Sequence, residues 1–271
     1  AELNKPKEAI EAFDQTIRTK PSDEELYINV IKAYTEIIKD DPDNPVYLQA
    51  RDGVLNNYIE LINSHRPKAT SFFNLGCRYT DMGDLNKAIA AYQKALELNP
   101  HHTGSLNNLG NALRDLGLLD EAISAYQKAI KASKIQAETY FNLGIVYEQQ
   151  SDIKKAREYY LKSIEVDPKN AKGYLKLGYL EEAAGNLEKA VIFYKKSIEL
   201  DSQNADSYYN LGNVYTQLVK FDEAKVNYLK AVEVKSKYVD AWVNLSVLAY
   251  REGNFEEAIR YCDEAVLSGY H

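Results

Sequence analysis

Asparagine recurs at a fixed interval along the chain, and its side-chain amide is the most regular chemical feature of the sequence. The amides lie 34 residues apart, with one lysine in the series: Asn74, Asn108, Asn142, Lys176, Asn210 and Asn244. Asparagine is neither a strong helix former nor a typical core residue. A carboxamide carries both donors and an acceptor, so such a row can hydrogen-bond the backbone of an extended peptide with little regard to its side chains.

Polar and aromatic side chains close to these amides extend the candidate site. The aromatic side chains would form apolar pockets between the amides, as an extended ligand with alternating side chains requires. The complete predicted peptide-binding set is Phe73, Asn74, Asn107, Asn108, Asn111, Phe141, Asn142, Lys172, Lys176, Tyr179, Tyr209, Asn210, Asn213 and Asn244. The alternative interpretation is that the amides hydrogen-bond neighbouring helices or water.

The sequence lacks the motifs of a catalytic or metal site. It has no glycine-rich phosphate loop, no H-E-x-x-H, no paired C-x-x-C, and no Ser-His-Asp set whose members a repeat would bring together. The pair His101 and His102 has no evident third ligand, which favours an exposed turn over a metal site. We therefore expect no enzyme activity, no cofactor and no bound metal.

A row of glycines indicates which elements position the amides. One glycine recurs every 34 residues, at Gly76, Gly110, Gly144, Gly178 and Gly212. Apolar residues around each follow three- and four-residue steps, which is typical of amphipathic helices. A second set is predicted to end the first helix of each pair: Gly83, Gly117, Gly185 and Gly253. Self-similarity at this period predicts helix pairs that stack on their neighbours.

The residue pattern of these units resembles the tetratricopeptide repeat family. In the first full unit the pattern falls on Phe72, Leu75, Gly76, Tyr79, Ala88, Tyr92, Ala95 and Pro100. The resemblance covers six units, residues 69–102, 103–136, 137–170, 171–204, 205–238 and 239–271. It implies an all-α, right-handed superhelical solenoid of antiparallel helix pairs. In this family the first helices line a concave groove, so the resemblance places the amide row in that groove.

Upstream of residue 69 the pattern is weaker. Residues 1–23 match the second helix of a truncated repeat, and residues 24–68 match one atypical, lengthened repeat. The acidic, proline-containing run from Asp40 to Pro45 predicts a turn between helices of roughly seventeen and twenty residues. We expect the units to form one continuous solenoid and the chain to be part of a longer protein.

Resemblances within the family suggest two kinds of ligand. The amide row is similar to that in the repeat domain of O-linked N-acetylglucosamine transferase. Residues Asn107, Asn111, Asn142, Lys172 and Lys176 partly resemble the carboxylate clamp with which co-chaperones grip the acidic tails of chaperones. Asn107 stands where a lysine is expected in that clamp, and Lys176 where an arginine is usual. The alternative is that the two lysines are solvated and balance Glu138, Glu181 and Glu182.

Composition narrows the class of partner. A formal net charge of −7 argues against nucleic acid, which requires a basic surface. No apolar run is long enough to insert into a membrane. Cys77 and Cys262 lie five repeats apart, so a disulfide between them is not expected. An intracellular, cytoplasmic location fits this cysteine usage best.

Together these features predict a non-enzymatic protein-interaction scaffold that binds a peptide or protein segment in its groove. Two alternatives stay open at this stage. One is the substrate-selecting arm of a larger enzyme, such as a glycosyltransferase. The other is an assembly scaffold that acts through its outer surface or self-associates through an exposed terminal repeat.

Overall fold

The computed structural model describes residues 5–64, 67–133 and 136–269, and the regular structure in these ranges is entirely helical. This confirms the predicted all-α class. The described helices are α1 Lys5–Thr19, α2 Glu24–Asp40, α3 Pro45–Ser64, α4 Ala69–Asp81, α5 Leu85–Leu98, α6 Thr103–Asp115, α7 Leu119–Ala132, α8 Ala137–Gln149, α9 Ile153–Val166, α10 Ala171–Ala183, α11 Leu187–Leu200, α12 Ala205–Gln217, α13 Phe221–Val234, α14 Val239–Arg251 and α15 Phe255–Gly269.

The chain forms two compact units, Ala1–Lys134 and Ile135–His271. From α4 onward the helices pack in pairs, α4 with α5 and α6 with α7 in the first unit, then four more pairs in the second. Three residues separate the two helices of each pair, and so short a connection makes them antiparallel. The division into six repeats and the continuity of the array between residues 133 and 136 stay predictions.

The turn inside each of these pairs contains one residue in the left-handed backbone region. The four predicted glycines have φ between 76° and 80°, at Gly83, Gly117, Gly185 and Gly253, which confirms their predicted role in ending the first helix. Two pairs lack the glycine, and Ser151 and Val219 take its place with φ of 61°. Packing of the pair therefore imposes the turn even where the residue type opposes it. A β-branched residue such as Val219 is strained in this conformation.

A tyrosine ring packed on a glycine forms the centre of each of the first five pairs. A Cβ atom added to Gly212 would lie 2.6 Å from a ring carbon of Tyr228. The same arrangement joins Gly76 to Tyr92, Gly110 to Tyr126, Gly144 to Tyr160 and Gly178 to Tyr194. These tyrosines are no more than 2% exposed. The glycine that the sequence predicts for close helix packing thus makes room for one particular ring.

The atypical segment joins the core of the first unit. Helices α2 and α3 have 17 and 20 residues, the lengths that the sequence predicts. The rings of Tyr27 and Tyr58 stack between these helices with their centroids 6.0 Å apart. The hydroxyl of Tyr58 donates to the carbonyl oxygen of Ser71 at 3.2 Å, which ties α3 to the start of α4.

Candidate functional site

The hydroxyls of the buried core tyrosines meet polar side chains on the first helix of the same pair. The Tyr126 hydroxyl donates to Asn111 Oδ1 at 2.6 Å. The Tyr228 hydroxyl donates to Asn213 Oδ1 at 2.8 Å and lies 3.1 Å from Thr216 Oγ1. Counted from the first residue of each 34-residue unit, these partners occupy positions nine and twelve. A buried hydroxyl requires a partner, so these two positions carry part of each pair's internal hydrogen bonding.

Two predicted amides, Asn213 and Asn244, lie together in the second unit. The Asn244 Nδ2 group donates to Asn213 Oδ1 at 3.1 Å. The Asn213 oxygen therefore accepts two hydrogen bonds, one from Tyr228 and one from Asn244, which fixes the orientation of its amide. Within the part of the chain that the structure describes, its two N–H donors have no protein partner.

A cavity of about 280 Å³ opens beside these amides, between α12 and α14. Its lining combines amide and hydroxyl groups with two aliphatic side chains: Asn213, Thr216, Gln217, Tyr228, Asn244, Val247 and Leu248. Thr216 and Gln217 were not among the predicted site residues. The sequence signal that would have identified them is a polar pair at positions twelve and thirteen, at the end of the first helix of that unit.

The first unit repeats this construction with a thiol at position nine. Asn108 Nδ2 lies 3.5 Å from Cys77 Sγ, to which it donates. The Tyr92 hydroxyl lies 3.0 Å from Thr80 Oγ1 and 3.7 Å from the same sulfur. Asn108 and Asn244 thus both reach back to position nine of the preceding pair. This agrees with the alternative in which the amides bond neighbouring helices.

In the pair α8 and α9 the core tyrosine bonds to a carboxylate instead of an amide, and that carboxylate also meets a lysine of α10. The Tyr160 hydroxyl donates to Glu148 Oε2 at 2.5 Å, and Lys176 Nζ donates to Glu148 Oε1 at 3.1 Å. Burial raises the pKa of Tyr160 well above its usual value, and the hydrogen bond and charge of Glu148 raise it further. Lys176 is thus already paired with a carboxylate of this chain.

In the pair α10 and α11 the core tyrosine again bonds to a carboxylate, but the second donor to that carboxylate is a neutral amide instead of a lysine. The Tyr194 hydroxyl donates to Glu182 Oε2 at 2.7 Å, and Gln217 Nε2 donates to Glu182 Oε1 at 2.8 Å. Burial and the neighbouring Glu182 again raise the pKa of Tyr194. Both oxygens of this carboxylate are occupied by protein donors.

The predicted carboxylate clamp is divided between the two units. Asn107 and Asn111 lie in the first unit, while Asn142, Lys172 and Lys176 lie in the second. Asn107 and Asn142 are buried, at 8% and 6% exposure. Lys172 is exposed. The clamp as a set stays a prediction.

Glu181 shows that the glutamates near the lysines have other partners. Its side chain is buried on α10 and forms an ion pair with Arg157 of α9. Its second oxygen accepts a hydrogen bond from Asn186 Nδ2 at 2.8 Å. In the alternative interpretation the two lysines balance Glu138, Glu181 and Glu182, but Glu181 and Glu182 have other partners. Lys176 pairs instead with Glu148.

The predicted pocket aromatics differ in their exposure. Three of them pack on other rings, with centroid distances of 5.1 Å for Phe73 and His102, 5.5 Å for Phe141 and Tyr160, and 4.9 Å for Tyr209 and Tyr238. Tyr179 is 51% exposed. Tyr179 is therefore the most open of the four rings, and the other three help to cover the core tyrosines or the turns.

The remaining predicted amides, Asn74 and Asn210, are half-buried on α4 and α12. His102, which the sequence suggested is an exposed turn residue, caps α6 instead: its Nδ1 accepts from the backbone N–H of Ser105 at 3.1 Å. In the described ranges no three metal-ligating side chains cluster. None of the helices described there combines the length of a membrane span with its apolar character.

Comparison with known proteins gives one family. Family models for the tetratricopeptide repeat match residues 69–102, 103–169, 159–192, 181–219, 205–238 and 239–267. These matches together run from residue 69 to residue 267. No curated protein sequence matches the chain at a significant level.

Solved structures agree with the family assignment. MamA protein is 28% identical, with a TM-score of 0.55, and the match covers 64% of this chain and 94% of MamA. YrrB, described as a TPR protein with an unusual peptide-binding site, is 23% identical over 68% of this chain and 95% of its own, with a TM-score of 0.55. PilF from Pseudomonas aeruginosa is 17% identical over 71% and 88%, with a TM-score of 0.65.

Proposed function

Because the chain belongs to the tetratricopeptide repeat family, and stacked repeats form extended binding surfaces, we propose that it binds an extended peptide segment through the amides of its first helices. One observation carries the proposal. The Asn213 oxygen is held by Tyr228 and Asn244, so its N–H donors stay available beside an open cavity. An orientation fixed before binding reduces the entropy that binding must overcome.

The donors of Asn213 suit the carbonyl oxygens of a peptide backbone. A peptide backbone offers one carbonyl per residue, so recognition by amide donors depends little on the peptide's side chains. The exposed side chain of Val247, 58% accessible, gives the same cavity an apolar wall. An extended segment would thus place a carbonyl on Asn213 and an aliphatic side chain against Val247.

An acidic tail is a poorer match to the second unit than a neutral backbone. The ammonium group of Lys176 lies 3.1 Å from the Glu148 carboxylate, so an incoming carboxylate would have to displace an existing partner. Lys172 remains exposed, but a single exposed cation contributes little. YrrB, which shares the fold, is described as carrying a peptide-binding site, so this architecture is compatible with peptide binding.

The test uses an isosteric substitution. A library of displayed, unstructured peptides is selected on the wild-type protein, and the selected peptides are synthesised and titrated against Asn213→Asp. Aspartate keeps an oxygen for Tyr228 and Asn244 but replaces the N–H donors with a second acceptor. We expect affinity to fall by roughly tenfold, the loss of one to two hydrogen bonds to peptide carbonyls.

Asn86→Asp is the matched control, since it makes the same chemical change at an exposed position on a second helix, α5. It should leave the affinity unchanged. Failure to select any peptide, or equal binding by wild type and Asn213→Asp, would contradict the proposal. Circular dichroism of all three proteins establishes that their helicity is equal.

A further inference from the structure

The pair α14 and α15 departs from the tyrosine-on-glycine arrangement. Ser246 stands at the glycine position, and Cys262 stands where the other five pairs have tyrosine. An apolar cavity of about 530 Å³ lies between the two helices at this place. Its lining is Ser246, Val247, Tyr250, Phe255, Ala258, Ile259 and Cys262.

The cavity occupies the place that a tyrosine ring fills in the preceding pair. There the ring of Tyr228 lies over Gly212, and its hydroxyl reaches Asn213 and Thr216. The residues 34 positions later are Cys262, Ser246, Val247 and Tyr250. All four line the cavity. The missing ring therefore leaves a space with walls shaped by the same backbone.

This space is open to solvent and its walls are apolar. Val247, Tyr250, Phe255 and Ile259 are between 58% and 68% exposed. Exposed apolar clusters of this kind mark interaction surfaces. The edge of Tyr250 meets Phe255 at a centroid distance of 5.4 Å, so these two rings form a wall and leave the space above Cys262 unfilled.

Acidic side chains border the cavity on α15. Glu256 and Asp263 are exposed and follow Phe255 and Cys262 by one residue, which puts both on the helical stripe beside the apolar one. Within the described residues neither carboxylate has a lysine or arginine at ion-pair distance. A ligand with an aromatic group and a neighbouring positive charge matches both features.

We propose that this cavity binds an aromatic side chain of a partner polypeptide, carried on an amphipathic helix with lysine or arginine beside it. The ring takes the place of the absent tyrosine, and the basic residues face Glu256 and Asp263. The surface adjoins the amide-lined cavity between α12 and α14, with which it shares Val247. The two differ in what they recognise, because this one binds a side chain and the other binds a backbone. A protein of this kind has two different binding surfaces in its second unit.

The experiment compares two synthetic peptides and two proteins. The peptides are short amphipathic helices with lysine flanks that differ only by tyrosine or alanine at the centre of the apolar face. The protein variant is Ser246→Gly/Cys262→Tyr, which rebuilds the internal tyrosine on glycine. Wild type should bind the tyrosine peptide roughly tenfold more tightly than the alanine peptide. The variant should bind both peptides equally weakly.

Cys262 supplies a second readout in the unaltered protein. The tyrosine peptide should slow alkylation of Cys262, measured by mass spectrometry, and the alanine peptide should not. Cys262→Ser is the control, since it keeps the cavity and should keep the preference for tyrosine. If the double variant does not fold, Ile259→Ser, a change at an exposed wall residue, should reduce the preference instead.

Equal binding of the two peptides to wild type, or a preference that survives in the double variant, would overturn the proposal. Dimers of the wild-type protein that the double variant abolishes would also overturn it, because the occupant would then be a second copy of the chain. Loss of peptide-backbone binding in Asn213→Asp leaves this test unaffected, so the two proposals fail independently.

Discussion

Two neighbouring helix pairs in the second unit, α10 with α11 and α12 with α13, have the same ring on the same glycine but give the tyrosine hydroxyl different polar partners. Beside Tyr194 the hydroxyl meets the carboxylate of Glu182, whose other oxygen is held by Gln217. Beside Tyr228 the hydroxyl meets the amide oxygen of Asn213. The ring and the glycine beneath it are the same in both pairs.

The difference shows how a structural hydrogen bond decides what is left for a ligand. A carboxylate has only acceptors, so the glutamate that satisfies Tyr194 and Gln217 has both oxygens occupied. A carboxamide has donors as well, so the amide that satisfies Tyr228 keeps its N–H groups. The identity of the residues at positions nine and twelve therefore determines whether a pair offers donors to a ligand.

The largest effect on the free energy of unfolding should come from substituting the glycine beneath each tyrosine ring, which both helix pairs share. Gly212→Ala puts a Cβ atom 2.6 Å from the Tyr228 ring, and Gly178→Ala puts one at the same distance from Tyr194. Overpacking of this kind should lower the free energy of unfolding by about 1 to 3 kcal/mol in each variant. Chemical denaturation measures the loss.

Gly53→Ala is the matched control for these substitutions. Gly53 lies inside α3, and apart from its two neighbours in sequence and the adjoining backbone of its own helix no atom stands within 4 Å of its added Cβ. Alanine should therefore stabilise that helix by about 0.5 to 1 kcal/mol. Destabilisation by Gly53→Ala, or tolerance of Gly212→Ala, would show that ring packing is not the reason for the repeated glycine.

Alkaline pH should separate the two tyrosines. Burial raises the pKa of both Tyr194 and Tyr228, and Glu182 adds its hydrogen bond and charge to the effect on Tyr194. A raised folded-state pKa means that the unfolded chain loses its proton first. The contribution of this pKa shift to the free energy of unfolding is therefore fully present below about pH 10, the tyrosine pKa of the unfolded chain. It is lost as the pH rises from there through the pKa of the folded protein.

Each such tyrosine contributes about 1.4 kcal/mol per pH unit to this decline, once the unfolded tyrosine is ionised and the folded one is not. Tyr194→Phe should make the fall in unfolding free energy between about pH 10 and 11 shallower by about 1 kcal/mol, because the unfolded tyrosine is only half ionised at the start of this interval. The same series of measurements includes pH 8, where Tyr194→Phe should lower the free energy of unfolding by about 1 kcal/mol because one hydrogen bond is lost. An unchanged slope would mean that Tyr194 ionises equally in both states.

Exchanging the residue at position twelve should make the surroundings of the Tyr228 hydroxyl resemble those of the Tyr194 hydroxyl. Thr216→Glu offers Tyr228 a carboxylate, as Glu182 does for Tyr194, and removes one of the two donors that hold the oxygen of Asn213. We expect the selected peptides to bind this variant about fivefold more weakly, because the Asn213 amide then keeps only the hydrogen bond from Asn244 and a negative charge lies beside it. Titration of the same peptides measures the change, and full retention of affinity would contradict the role of the fixed amide.

The smallest effect concerns a turn that both pairs need. Val219 has φ of 61° where the pair α10 and α11 has Gly185 with φ of 76°. Val219→Gly should raise the free energy of unfolding by about 0.5 to 1 kcal/mol through relief of strain. Val226→Gly, at an exposed position inside α13, is the control and should destabilise the protein by a similar amount.

The period of 34 residues was sufficient to predict the helix pairs and the turns at four glycines, and the run from Asp40 to Pro45 was sufficient to predict the lengths of α2 and α3. It could not identify Ser151 and Val219 as left-handed residues, because their types argue against that conformation. It also missed His102 as the cap of α6. The left-handed turns and the cap of α6 both depend on a backbone conformation that the packing of the helices sets, whichever residue type stands at the position.

The hydrogen bonds of the site were less accessible to sequence reasoning than its residues. The spacing marks Asn108 and Asn244, but not that each reaches back to position nine of the preceding pair. The pairing of Arg157 with buried Glu181 has no periodic signal, since it occurs at one junction. Side-chain partners across a junction depend on the relative placement of two helices, which a repeat pattern alone does not give.

Binding of peptide carbonyls by the N–H donors of Asn213 can be followed at the group itself, through the nuclear magnetic resonance signal of that side-chain amide. The signal is assigned by its absence from Asn213→Asp. On saturation with a selected peptide, the Asn213 side-chain protons should move downfield, as new hydrogen bonds require, while the exposed amide of Asn86 stays in place. A peptide that saturates the protein and leaves the Asn213 signal unmoved would contradict the account.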